Sequence, residues 1–310
     1  MDSTLIQMTL LIACGVGWQA LAPAGLTAGQ TRRVLSAFVY YLLLPAMVLE
    51  VLWTADIGLK SLHYTLLGVS CILSGMLGMF VIGNCFKIDG PKLGALILAT
   101  SPNVTYLGLP LLEQLFGDRA RSVVIQVDSF AATPIMLTIG IMIARHYGQA
   151  DDHDPRPSAL ALLNAPPFWS AAVAVALNLN GIAAPEWLMG TLHKLSVAVT
   201  PLMLVAMGLS LNWKAISPKA LPYVMPVIAL KMLLMPILAI TLAQHLVMDA
   251  TDKMVAILDL AMPSMLLGVV YCDRYRLDSG LYAVAVTVTT TLSFICVPFW
   301  HGYVMKEFLP

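Results

Sequence analysis

Lys92-Leu93-Gly94-Ala95-Leu96-Ile97 runs on to Pro102, and Lys253-Met254-Val255-Ala256-Ile257-Leu258 runs on to Pro263. In both stretches the proline comes ten residues after the lysine, inside an apolar run. Ten helical residues rise about 15 Å, half of a hydrocarbon core about 30 Å thick. With each lysine at a membrane surface, each proline falls near the midplane. A proline there removes a helix hydrogen bond and collides with the preceding turn. Paired interruptions at matching places in two halves of a chain point to a transporter binding site.

The composition fits that setting. The chain has 310 residues, 59% of them hydrophobic and 11% charged, with a mean hydropathy of +0.84. Soluble domains carry about 25% charged residues, so an all-α polytopic membrane protein embedded in a lipid bilayer is expected. Net charge is zero and there is no basic tail, which argues against a nucleic-acid partner. The first apolar stretch starts at Thr4 without a basic leader and is followed by more spans, so it reads as a first helix rather than a cleaved signal. The five cysteines are scattered through apolar segments and read as buried free thiols. No His/Cys/Glu cluster has metal-ligand spacing, so neither a metal nor an organic cofactor is expected.

Hydropathy predicts ten spans, near 4–22, 34–53, 62–86, 93–116, 122–147, 160–179, 187–211, 221–248, 254–272 and 279–305. The longest polar stretch, 148–158, lies at the centre of the chain and reads as a linker between halves 1–147 and 159–310. With both termini outside, internal loops hold ten Lys/Arg and external segments six, Lys231 remaining inside a span. That bias favours outside termini in a cell membrane, read as a bacterial inner membrane. Two homologous halves of five spans must insert with opposite orientation, which predicts an inverted repeat. Pro45-Ala46-Met47-Val48-Leu49 also matches Pro201-Leu202-Met203-Leu204-Val205, at an offset of 156 residues against 161 for Pro102 and Pro263. Asp118-Arg119-Ala120-Arg121 and Asp273-Arg274-Tyr275-Arg276 look alike too, but at a different distance from the prolines. Pro134, Pro226, Pro236 and Pro298 read as ordinary kinks.

Ser101-Pro102-Asn103-Val104-Thr105-Tyr106-Leu107-Gly108-Leu109-Pro110 resembles the Asn-x-Gly-Phe-x-Gly-x-Pro motif of the auxin efflux carrier family, which includes bacterial malonate-type transporters. Tyr40-Tyr41-Leu42-Leu43-Leu44-Pro45-Ala46, Asn178-Leu179-Asn180-Gly181-Ile182 and the run from Pro201 to Gly208 resemble its second, sixth and seventh spans. The resemblance covers essentially the whole chain. It implies two inverted five-helix repeats with crossing broken helices four and nine, as in bile-acid symporters and sodium/proton antiporters. It also implies a scaffold of spans 1, 2, 6 and 7 beside a moving core of spans 3–5 and 8–10. Two departures stand out: Thr105 replaces the usual Gly, and the stretch after Pro263 lacks an Asn that many members carry.

Ionisable residues inside a membrane are candidates for function. Asp128 lies in the fifth span, where the resemblance also places an Asp; it reads as a proton-coupling carboxylate or as a structural one bonded near the Pro102 break. Asp259 lies four residues before Pro263, whose missing N–H leaves the Asp259 carbonyl without its usual partner. Lys231 is too deep in the eighth span to reach water easily, and pairs with Asp128 or Asp259, or meets an anionic substrate. Glu50 and Glu113 read as interfacial. Asn103, Thr105 and Tyr106 follow the first break; Ser264 and Met265 follow the second. Each second half-helix is expected to begin at its proline, so two positive N-termini would face one midplane cavity and favour an anion.

These features predict a secondary transporter of a small mono- or dicarboxylate, working by alternating access, with H+ or Na+ as a possible coupling ion and a homodimer as a possible assembly. A non-transporting membrane sensor or binding protein of the same fold is the alternative. No catalytic dyad or paired catalytic carboxylates appear, so an enzyme is not expected.

Overall fold

Twelve helices are described in a computed structural model that covers residues 2–149, 165–211, 213, 216 and 218–308. They are α1 (Asp2–Leu21), α2 (Ala28–Thr54), α3 (Leu59–Cys85), α4 (Gly90–Ala99), α5 (residues 104–116), α6 (Asp118–Tyr147), α7 (Pro166–Leu179), α8 (Glu186–Ser210), α9 (Leu221–Gln244), α10 (Ala250–Leu260), α11 (Gly268–Tyr275) and α12 (Ser279–Phe308). No strand occurs among the described residues. Six helices, α2, α3, α6, α8, α9 and α12, are long and apolar enough to cross a membrane, and α1, α4 and α7 are shorter apolar helices. The central linker from residue 150 on, and the predicted start of the sixth span at 160–164, lie outside the described residues.

Local chemistry sets the ends. Thr27 accepts from the Gln30 backbone N–H while the Gln30 side chain accepts from the Thr27 N–H, a capping box that starts α2. Gly117, at φ 72°, turns the chain between α5 and α6. That is a conformation side chains resist. Arg276 ends α11 in the left-handed helical region, at φ 54°.

Among the described residues, helices widen by one residue at five places, and at four of them a proline explains the position; the fifth, Met136–Gly140 in α6, has no proline after it. The Leu44 N–H bonds the Val39 carbonyl, Leu109 bonds Val104, Thr133 bonds Asp128, and Met235 bonds Leu230. Each is a five-residue closure instead of the usual four. In each of these four cases a proline comes next: Pro45, Pro110, Pro134 and Pro236. A proline ring clashes with the carbonyl four residues back. Widening the turn moves that carbonyl aside and lets the helix continue. At Pro134 and Pro236, where the sequence suggests ordinary kinks, the helix is carried on through such a wide turn.

Two groups of helices pack internally. α1 runs along α8, and α7 along the end of α2. The α1–α8 crossing is tight because Gly15 and Gly208 face each other; a methyl at either would strike the other helix's backbone. Gln19 Nε2 then reaches the carbonyls of Gly208 (2.8 Å) and Leu211 (2.9 Å). Asn178 Nδ2 ties α7 to the Trp53 and Ala55 carbonyls, and Trp53 Nε1 donates to Ile182. Elsewhere α3 packs on α4, α6 and α9, and α12 packs on α4, α9, α10 and α11.

Candidate functional site

The two breaks meet. Asn103 N–H donates to the Pro263 carbonyl, and Met265 N–H donates to the Ser101 carbonyl, both at 2.8 Å. Pro102 and Ser264 thus face each other as one antiparallel pair. Each loop thus supplies the other with one backbone acceptor and one donor where the helices are interrupted.

The remaining freed groups are met by side chains. Ser264 N–H donates to Thr289 Oγ1 at 3.1 Å, and Tyr282 Oη donates to the Met265 carbonyl at 2.6 Å. Lys231 Nζ donates to the Leu260 carbonyl at 3.1 Å. That carbonyl ends α10, so the ammonium lies at the negative end of a helix dipole. The Asp259 carbonyl, expected to lack a partner, accepts from Met262 N–H at 3.1 Å in a tightened last turn. The second half-helices also depart from expectation. α5 begins two residues after Pro102, while α11 begins five residues after Pro263. Ser264 and Met265 give their N–H groups to Thr289 and Ser101 in the extended stretch before α11.

The crossing is closed to solvent. Asn103 is 1% exposed, and Ser264, Asp259 and Lys231 are 0% exposed. Polar atoms there have no protein hydrogen-bond partner among the described residues: Asn103 Nδ2, Thr105 Oγ1, Tyr106 Oη, Ser264 Oγ and both carboxylate oxygens of Asp259. Buried polar groups are nearly always bonded. Such a concentration marks a place built for something other than packing.

Asp128 sits at the start of the wide turn in α6. Its Oδ1 accepts from Thr133 Oγ1 at 3.1 Å, and the Thr105 hydroxyl faces it without closing a bond of good geometry. Tyr40 of α2 and Tyr106 lie within its electrostatic reach, as does Asp259. Lys231 feels Asp259 but bonds the Leu260 carbonyl rather than either carboxylate. Met265 joins the crossing through its backbone. Asn103, Thr105, Tyr106, Ser264, Asp128, Asp259 and Lys231 thus line one region around the paired breaks.

Several residues escape the sequence reading. Thr289 and Tyr282 lie in an apolar helix with nothing to mark them. Gly108 is recognisable only as part of a motif, yet a methyl there would strike Asp259 Oδ1 and Met262. Glu50 is buried rather than interfacial: its carboxylate meets Arg121 Nη2 at 2.9 Å and His193 Nδ1 at 2.8 Å. Arg121 also donates to Ser196. Beside it, Arg119 bonds Asp249 and Asp252, and Tyr64 Oη donates to Asp252 at 2.7 Å. Residues 118–121 and 273–276, alike in sequence, occupy different places: the first run opens α6 and the second closes α11.

Residues 5–301 match a family described as membrane transport protein. Two relatives align along almost their whole length. One, named an uncharacterized transporter, from Methanocaldococcus jannaschii, is 26% identical over 319 residues, covering 98% of both chains. Another uncharacterized transporter, from Methanothermobacter thermautotrophicus, is 25% identical over 307 residues, covering 97% of this chain and 98% of the other.

Proposed function

The chain belongs to the membrane transport protein family, and from that premise we propose that it is a secondary active transporter of a small organic anion. One observation carries the reading: the two proline breaks pair through their backbones, amid buried polar atoms that no protein group satisfies. In this reading ten spans form two inverted repeats, 1–147 and 159–310. Spans 1, 2, 6 and 7 are a fixed framework, and the other six move against it to expose the crossing to one side at a time.

Asn103, Thr105, Tyr106 and Ser264 bind the substrate, with the Met265 backbone holding the second loop in place. The N-terminus of α5 starts beside the Asn103 side of the crossing and favours negative charge. Lys231 adds a cation. Asp128 and Asp259 take up the coupling ion, H+ or Na+, so that the anion never shares the site with two bare carboxylates. The fourth-span motif supports mono- or dicarboxylates of the malonate type. A bacterial inner membrane, outside termini and assembly as a homodimer complete the proposal.

Uptake into proteoliposomes tests it. Purified protein is expected to move at least one of a panel of mono- and dicarboxylates under an imposed proton or sodium gradient. Asn103→Ala is expected to weaken uptake tenfold or more at unchanged protein level. Binding without flux under any gradient turns the reading to a membrane sensor.

A further inference from the structure

Two cavities lie near opposite ends of α2, where the proposed framework meets the proposed moving helices. One, of about 270 Å³, is lined by Glu50, Thr54, Asp118, Arg121, Ser122 and His193. The other, of about 240 Å³, is lined by Arg32, Ser210, Asp273, Ser279 and Ala283 among others. The repeat relates them. The framework offset of 156 residues (Pro45 to Pro201) carries Thr54 to Ser210. The offset of 161 (Pro102 to Pro263) carries Asp118 to Ser279 and Ser122 to Ala283. The offsets therefore make the two cavities counterparts.

They differ in what spans them. At the first, Glu50 of α2 and Ser196 of α8 both hold Arg121 of α6, and His193 of α8 holds the other oxygen of Glu50. Glu113 of α5 lies 3.8 Å from the same guanidinium. Arg121 and Glu50 are 7% and 9% exposed, so this pair is poorly screened by water. Removing one partner leaves the other charge buried and unpaired. At the second cavity the same offsets put Ala206 and Tyr282 in place of Glu50 and Arg121. Those residues cannot form an ion pair.

We propose that Glu50 and Arg121 form a gate that holds the framework and the moving helices together on the face where the chain begins, while the counterpart positions at the second cavity, Ala206 and Tyr282, hold no such pair. This rests on the two-body reading above. The gate makes the two passages unequal: one opens only when the pair separates.

The test uses the full chain in proteoliposomes, with the five native cysteines replaced and one new cysteine at Ser122→Cys or Ala283→Cys. A membrane-impermeant maleimide reports access to each cavity. With Glu50→Gln added, labelling at 122 is expected to rise about tenfold, the change that about 1.4 kcal/mol makes in an equilibrium, while labelling at 283 falls. The reversed pair, Glu50→Arg with Arg121→Glu, is expected to return both toward native rates. A rise at both positions means general loosening and overturns the gate. No change at either position overturns it too. Carboxylate uptake by the native protein separates the two failures: uptake with an unresponsive pair removes the gate alone, and no uptake of any carboxylate removes the transport reading itself.

Discussion

Gly108 shows how one missing methyl group shapes the crossing. The Asp259 carboxylate and Met262 press against its Cα, so an added Cβ has nowhere to go. Gly108→Ala is expected to destabilise by about 1–3 kcal/mol, the usual range for overpacking a filled interior. Thermal unfolding in detergent measures it. In an Asp259→Ala background the same change is expected to cost less, because the colliding oxygen is gone; strictly additive losses would sink this contact. At the surface, the Lys60 hydrogen bond, and then Arg119, hold the Asp249 carboxyl below its ordinary range. A depressed carboxylate stabilises above its unfolded value, about 3.9, and loses that effect as pH falls through its folded value. Asp249→Asn is therefore expected to lower the melting temperature at neutral pH, with the gap to the native protein closing in acid. A gap that persists in acid contradicts the pairing.

At the scale of elements, the breaks are two loops that complete one another. Their pairing leaves one N–H, that of Ser264, to a side chain on a third helix, Thr289. Thr289→Val keeps the shape and deletes the acceptor. It is expected to cost about 1–3 kcal/mol, the penalty for stranding a buried donor. Thr289→Ser retains the hydroxyl and is expected to stay near native; equal losses for both would remove the bond from the account. The prolines that make these loops are legible in sequence, since spacing alone puts Pro102 and Pro263 at corresponding places. The family, too, is legible in the run from Ser101 to Pro110. The partners are not. Thr289 and Tyr282 look like any residues of an apolar helix, and only folding brings them to the break. Glu50 is misleading in sequence for the same reason. Its position near the end of a span suggests an interface with water, but Arg121 and His193 arrive from distant parts of the chain and bury it.

For the whole molecule, the decisive quantity is the parity of membrane crossings. Six helices span by length and composition, but α7 has only 14 described residues, which reach about 21 Å, short of a 30 Å core. Whether it crosses, together with the preceding residues, decides which face each loop lies on. In the ten-span arrangement Lys194 and Lys306 are separated by four crossings and share a face. Lys87 and Lys219 likewise share one, and Lys87 lies three crossings from Lys194. All four are exposed, so single cysteines at these positions in a cysteine-free chain can be read with an impermeant thiol reagent on intact cells. Positions 194 and 306 are expected to label from outside and 87 and 219 only after the membrane is opened. If 87 and 194 label from the same side, an odd number of crossings between them is ruled out and the inverted repeat falls with it. If the two pairs stay on opposite faces but exchange sides, the repeat stands and the lysine and arginine bias has misjudged its orientation. The gate between Glu50 and Arg121, on the same face as Lys194, would then close the inner passage instead of the outer one.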